Sequence, residues 1–179
     1  MTVPPDQRSE AELIERAIVG DDRAFEELTR RHHRPVRAFC RRIAGRTGDG
    51  DDIAQAAFLT AWRRRSTYAG GAFRSWVCAI AWRIFLKRPQ MDTVAEVADE
   101  GTLASDAERL DLMNALASLR PEERAAVALC VGEGLSHAEA ARVLDAPIGT
   151  VKSWTLRGRA RLQTMLSDYA PEYRGGASR

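Results

Sequence analysis

The stretch Leu135–Leu166, LSHAEAARVLDAPIGTVKSWTLRGRARLQTML, decides the fold. Ser136 followed three residues later by Glu139 is a capping box, so a helix begins there. Ala140, Ala141, Val143 and Leu144 give that helix a small apolar face, against which a second helix can cross closely. Asp145-Ala146-Pro147 stops it, because the residue before a proline avoids the helical region. Thr150 is a candidate cap for the second helix. Val151, Leu162 and Leu166 fall on one side of that helix, and Lys152, Ser153, Arg157, Arg159 and Arg161 on the other. Two tightly crossed helices, the second basic and long-armed, form a helix-turn-helix suited to a DNA major groove. Arginine reads guanine edges bidentately and also grips phosphates. A helical hairpin with a solvated basic face is the plainer alternative.

Outward from this stretch, the chain has 179 residues, 45% of them hydrophobic, with a net charge of +2. That size suits one or two small domains with real cores. The near-neutral balance does not announce a nucleic-acid binder; the local clustering of arginines does. Cys40, Cys78 and Cys130 lie far apart in apolar or helical stretches, which reads as buried free thiols in a reducing cytoplasm, not as a zinc or disulfide framework. His32 and His33 are adjacent and point to different faces, so no metal site is expected from them. No phosphate loop, nucleophile triad or paired catalytic carboxylates stands out. The start of the chain lacks a basic-then-apolar signal, and no apolar run reaches membrane length. The expectation is a cytoplasmic protein without cofactor, metal or catalytic residues.

Residues 1–8 read as disordered. Ser9 and Glu12 form another capping box, opening a short amphipathic helix that ends at Gly20. Asp21-Asp22 can cap a longer helix whose core face is Phe25, Leu28, His32, Val36, Phe39 and Ile43, opposite Arg30, Arg31, Arg34, Arg37, Arg41 and Arg42. Gly45–Gly50 is a loop, with Asp49 and Asp52 as candidate caps of the next helix. That helix mixes small residues with Phe58 and Trp62, four apart, which suits either packing or contact with a partner. After Gly70-Gly71, the segment Tyr68–Arg88 interleaves Phe73, Trp76 and Phe85 with Arg74, Arg83, Lys87 and Arg88. Such a pattern can hold unpaired DNA, bases stacking on rings at roughly 1–3 kcal/mol each while cations hold phosphates. For Trp76 a place in the core is the stronger expectation. Residues 90–108 turn acidic and read as a linker. Leu110, Met113, Leu116 and Leu119 mark a further helix, Pro121 opens another, and residues 169–179 read as a loose tail.

With these residues in view, the chain resembles the extracytoplasmic-function (ECF, group IV) sigma factors of the sigma-70 family. Glu133–Ser136, Glu139, Ala141, Leu144, Pro147, Gly149–Ser153, Arg157, Arg159 and Leu162 match the region 4.2 pattern. Asp145 stands where glycine is usual, and Trp154-Thr155 replace the usual Arg-Leu. Asp52, Gln55, Phe58, Ala61, Trp62 and Arg63 match region 2.2, with Ala56 in place of the usual Glu. Phe73, Arg74, Trp76, Ile80 and Ala81 match regions 2.3 and 2.4, with Trp82-Arg83 for Arg-Asn and Lys87 for a common Asp. The resemblance implies an all-α chain of two small helical domains, 9–89 and 109–168, joined by the 90–108 linker. It implies docking on core RNA polymerase through Asp51, Asp52, Gln55, Phe58 and Trp62. It further implies capture of the melted −10 strand by Tyr68, Phe73, Arg74, Trp76, Arg83, Lys87 and Arg88. Reading of the −35 duplex would fall to Ser136, Thr150, Lys152, Ser153, Trp154, Arg157, Arg159 and Arg161. An acidic linker mimicking RNA in the polymerase and a regulating anti-sigma factor complete that picture. Two other readings stand beside it: a LuxR-type regulator that binds duplex DNA without polymerase, and an interaction protein that has lost initiation.

Overall fold

The computed structural model describes residues 9–45, 49–88 and 103–166; the proposed disordered start, the tail and most of the acidic linker lie outside them. Within the described residues the chain is all-α. The helices are α1 (Glu10–Ile18), α2 (Asp22–Ala44), α3 (Gly50–Arg63), α4 (Phe73–Lys87), α5 (Leu103–Ala117), α6 (Pro121–Val127), α7 (His137–Leu144) and α8 (Ile148–Leu166).

The cap chemistry sets most of these boundaries. Ser9 Oγ accepts the Glu12 N–H at 3.2 Å, and Asp21 Oδ1 accepts the Ala24 N–H at 3.1 Å. Gly20 takes φ +104° between α1 and α2, a conformation that L-residues rarely adopt. Ser136 and Glu139 cap α7 reciprocally, and Asp145 ends it in the left-handed conformation (φ 53°, ψ 50°), which short polar side chains tolerate. Pro35 lies inside α2, where its missing N–H is tolerated within a long, deeply packed helix.

Two expected caps differ. Asp49 occupies the position before α3 but caps with no side-chain hydrogen bond; its carboxylate lies 3.4 Å from Arg88 Nη1 instead. Thr150 does not start α8. The Pro147 carbonyl takes the first helical bond from the Val151 N–H, at 3.1 Å, so the helix begins at Ile148 and Thr150 falls within its first turn. A proline costs nothing at a helix start, where the N–H would have no partner. α5 likewise begins at Leu103, inside the stretch whose acidic composition reads as linker.

Helices α1–α4 wrap around Leu13, Leu28, Val36, Phe39, Ile43, Ile53 and Val77, all at most 1% exposed. α3 crosses α2 so closely at Gly50 that a Cβ there would lie 2.5 Å from Arg41 Cα. The second half is built from smaller residues: Ala125, Ala126, Ala128, Ala140, Ala141 and Val151 are buried around Leu129. α6 runs on into a π-helical turn, Ala128–Gly132, which closes at Glu133. The two halves share one continuous buried cluster, because α4 and α2 pack on α6 and α7. A smaller cluster, Ala115, Leu116, Leu119, Val127 and Leu162, ties α5 to α6 and α8.

Candidate polymerase and nucleic-acid interfaces

An open groove of about 730 Å³ lies between α2 and α3. Phe25, Phe58, Leu59 and Trp62 line it with apolar surface; Glu26, Thr29, His33, Arg37, Asp51 and Gln55 supply its polar groups. Trp62 stands edge-on to Phe25, with ring centroids 5.1 Å apart, and the Arg65 guanidinium lies 3.9 Å from the Trp62 ring centroid. His33 stacks on Phe58 at 6.3 Å. Leu59 is half exposed, a large apolar group left uncovered at the groove. Four of the five residues expected to meet a partner, Asp51, Gln55, Phe58 and Trp62, therefore line one surface. Asp52 is exposed on the same helix but does not line the groove.

Asp51 is strongly tied. Arg37 Nε donates to its Oδ1 at 2.7 Å and Arg41 Nε at 2.9 Å, with second bonds from each Nη2 to Oδ2 at 2.6 and 3.1 Å. The two guanidiniums hold this carboxyl well below the usual carboxylate range. Asp51 thus braces α3 against α2, a role the sequence did not reveal. Glu27 does the same within α2, where Arg30 and Arg31 pull its pKa down to about 2.

The residues expected on the −10 strand separate by depth. Phe73 is 3% exposed and packs on Phe25, His32, Tyr68 and Trp76, so it is a core anchor. Trp76 is only partly buried and carries Tyr68 edge-on at 5.3 Å, while the Tyr68 hydroxyl donates to the Gly71 carbonyl. Arg83 and Lys87 are exposed seven and eleven residues after Trp76, on the same helical face. A ring pair on the same helical face as two exposed cations suits single-strand capture. Arg74 and Arg88 turn elsewhere. Arg88 faces Asp49, and Arg74 donates to the Glu133 carbonyl at 3.2 Å.

On α8 the face away from the core carries Lys152, Ser153, Leu156 and Arg159, all exposed. Leu156, at 72% exposure, sits among polar neighbours and was not singled out from the sequence. Its spacing of four from Lys152 and three from Arg159 gave the signal. Arg157 and Arg161 lie at the edge of this face. Their guanidiniums bind Glu123 on α6, at 3.0 and 2.7 Å, and the Glu123 side chain is 2% exposed. They orient α8 as well as flank its exposed face. Trp154 packs partly on the core, and Thr155 is buried, its hydroxyl donating to the Val151 carbonyl at 2.9 Å. These two residues are turned inward, away from the exposed face. Ser136 is spent on its capping box.

The three cysteines are free; Cys40 and Cys78 are buried, and burial pushes the Cys40 thiol up to about 12. Among the described residues no cluster of His, Cys, Asp or Glu is placed to hold a metal ion, and no helix is long and apolar enough to cross a membrane.

Two family models match the chain, one in each half. Residues 28–88 match the family Sigma-70 region 2, and residues 109–162 match Sigma-70, region 4. The chain is 35% identical over 170 residues to the ECF RNA polymerase sigma factor SigM of Mycobacterium tuberculosis, covering 89% of this chain and 86% of that protein. It is 29% identical over 177 residues to the ECF RNA polymerase sigma-E factor of Escherichia coli K12, covering 86% and 92%. Its fold is similar to that of CnrH, solved with the cytosolic domain of CnrY (TM-score 0.70, 24% identity, 89% of this chain and 97% of that one). It is also similar to RpoE of Bartonella quintana, solved with the anti-sigma factor NepR (TM-score 0.68, 23% identity, 80% and 96%). With both regions present in order and a relative this similar along most of its length, the chain belongs to the ECF sigma factors of the sigma-70 family.

Proposed function

We propose that this sigma factor works as a specificity subunit, bringing core RNA polymerase to its promoters and opening them without any catalytic step of its own. The observation that carries this reading is the pairing, in one chain, of an aromatic-floored groove on α2–α3 with a recognition helix whose reading face is free. In this reading residues 9–89 form the polymerase and −10 unit, and residues 109–168 the −35 unit. The groove, with Phe58, Trp62, Gln55 and Asp51 on it and Asp52 beside it, docks on core polymerase. Lys152, Ser153, Leu156 and Arg159 enter the major groove of the −35 duplex, with Thr150 at the helix start and Arg157 and Arg161 at the flank. The exposed Leu156 suits an apolar contact such as a thymine methyl.

Tyr68, Trp76, Arg83 and Lys87 hold the unpaired −10 strand, and Phe73 supports the rings from beneath. Strand opening draws on the capture of unpaired bases, each stacked base contributing roughly 1–3 kcal/mol. One of the similar folds was solved with an anti-sigma factor, NepR, which supports control of this protein by an anti-sigma factor in the cytoplasm. The region 2 match leaves no support for a regulator that binds duplex DNA alone.

Run-off transcription with purified core polymerase on genomic fragments tests the reading. New discrete start sites preceded by two unlike boxes are expected. Tight core binding without new starts would instead point to a sigma factor that has lost initiation, and neither binding nor starts would overturn the proposal.

A further inference from the structure

The exposed side of α8 is not uniformly basic. Ser153 lies near its middle, with Gly149, Leu156 and Ala160 close around it, all exposed. This middle strip carries no charge. It offers one hydroxyl, which donates to the Gly149 carbonyl at 3.0 Å, and the 72% exposed Leu156. Arg161 falls on one edge of the strip, and Lys152 and Arg159 on the other. Arg157 stands only about 40° round the helix from Ser153, near enough for an unrestrained guanidinium to swing over the middle. A helix lying in a major groove has base edges beneath its middle and a phosphate backbone along each side.

The cations of the two edges are held differently. Among the described residues neither Lys152 nor Arg159 has an ion pair. Arg157 gives its Nε to Glu123 Oε1 at 3.0 Å, and Arg161 its Nη1 to Glu123 Oε2 at 2.7 Å. The Glu123 side chain is 2% exposed, whereas those of Arg157 and Arg161 are 53% and 48% exposed. Each guanidinium thus has one donor pinned on a buried anion and keeps others for an outside acceptor. The anion itself sits on a tight crossing. α6 and α8 meet at Gly158, where an added Cβ would lie 3.2 Å from the Glu123 carbonyl. Glu123 therefore draws Arg157 off the middle strip and lines it up with Arg161 along one edge. A planar fork pinned at one donor presents the rest in a fixed direction, which suits a phosphate of fixed position.

We propose that Glu123 makes Arg157 and Arg161 a fixed phosphate clamp on one wall of the −35 major groove, leaving base selection on this strip to Ser153 and Leu156. This rests on the reading of α8 as the −35 recognition helix. Glu123 is then a positioning residue. Without touching DNA it sets the register in which the middle strip meets the bases, since phosphate contacts position and base contacts specify. It also keeps a guanidinium that could read guanine from doing so.

The test uses holoenzyme reconstituted from core polymerase and the full-length chain, on a promoter fragment that run-off transcription identifies. Methylphosphonate linkages, which remove one phosphate charge at a time, are scanned along the −35 box, and each base pair is substituted in turn. In the wild type a few neighbouring linkages on one backbone should weaken binding. Arg157→Gln should erase that penalty at one of them and lower the salt slope by about one, with base preferences unchanged. Leu156→Ala should do the opposite, relaxing preference at one base pair with the phosphate map intact. Glu123→Gln keeps the size of the side chain and removes its charge. It should blunt the penalties of both arginines and lower selectivity for the native over a scrambled −35 box on the order of tenfold. Arg157→Gln with altered preference at one base pair and an intact phosphate map would overturn the clamp. Glu123→Gln with the wild-type map and selectivity would overturn the positioning role. A wild type that does not distinguish native from scrambled −35 boxes would instead remove the reading of α8 itself, and this inference with it.

Discussion

The two halves of the molecule solve the same problem, fixing a functional helix, with different materials. α1–α4 use volume: Leu13, Leu28, Phe39, Ile43 and Ile53 are buried to 1% exposure or less, and the acids pair either at the surface, as Asp51 does, or within one helix, as buried Glu27 does with Arg30 and Arg31 of α2. α5–α8 use closeness. Alanines let the helices approach, and a buried carboxylate, Glu123, reaches across from α6 to position α8. Apolar volume gives stability that depends little on direction, whereas a buried acid with two fixed partners gives orientation. A docking groove tolerates the first kind of support; a helix that must enter a groove in one register needs the second.

That contrast can be broken by substitution. The largest effect is expected at Phe39, fully buried in the first half: Phe39→Ala should cost about 3–5 kcal/mol, measured by denaturant unfolding. Gly50→Ala should follow at roughly 1–3 kcal/mol, because its new Cβ meets the Arg41 backbone, which cannot swing aside. Gly158→Ala in the second half should cost less than Gly50→Ala. There the Cβ meets a Val127 methyl at 2.6 Å and the Glu123 carbonyl at 3.2 Å, and alanine recovers up to about 1 kcal/mol of helix propensity. Equal costs would show that α6 and α8 are as rigidly crossed as α2 and α3.

Glu123→Leu sharpens the comparison differently. It keeps the volume and removes the orientation, so thermal stability should change little while affinity for the −35 duplex falls, measured by fluorescence anisotropy. A large stability loss with unchanged affinity would place Glu123 with the core residues of the first half. The smallest effect concerns pH. Burial against Phe73 holds His32 below the ordinary imidazole range. The folded state therefore resists its protonation, and stability present above the unfolded pKa of about 6.5 is lost as pH falls from there toward the lower folded value. His32→Phe should flatten that part of the melting curve against pH.

The sequence made local chemistry legible. Ser9, Asp21 and Ser136 cap where their spacing said, and Asp145 takes the left-handed turn. The heptad-like spacing of Phe25 to Ile43 marked a real core face, and the helix-turn-helix appeared in its expected order. What pairs across long separations was not legible. Nothing near Glu123 announces that arginines 34 and 38 residues later will bind it, and nothing near Glu133 points to Arg42, 91 residues before. The sequence set the basic face of α2 opposite its core face and assigned it no partners. Instead Arg31 serves Glu27 within α2, Arg37 serves Asp51 of α3, and Arg42 serves Glu133 in the turn after α6. Thr150 misled because proline starts a helix as readily as threonine caps one.

The exposed face of α8 has a consequence for variation. Lys152, Ser153, Leu156 and Arg159 project away from the core, while the residues that hold the helix in place, Val151, Thr155, Gly158 and Leu162, lie on its opposite side. If this face reads the −35 duplex as proposed, its address is written in a different alphabet from the instructions for folding the helix. Successive copies of such a chain can be readdressed to new sites one letter at a time, each intermediate still folded and still able to dock.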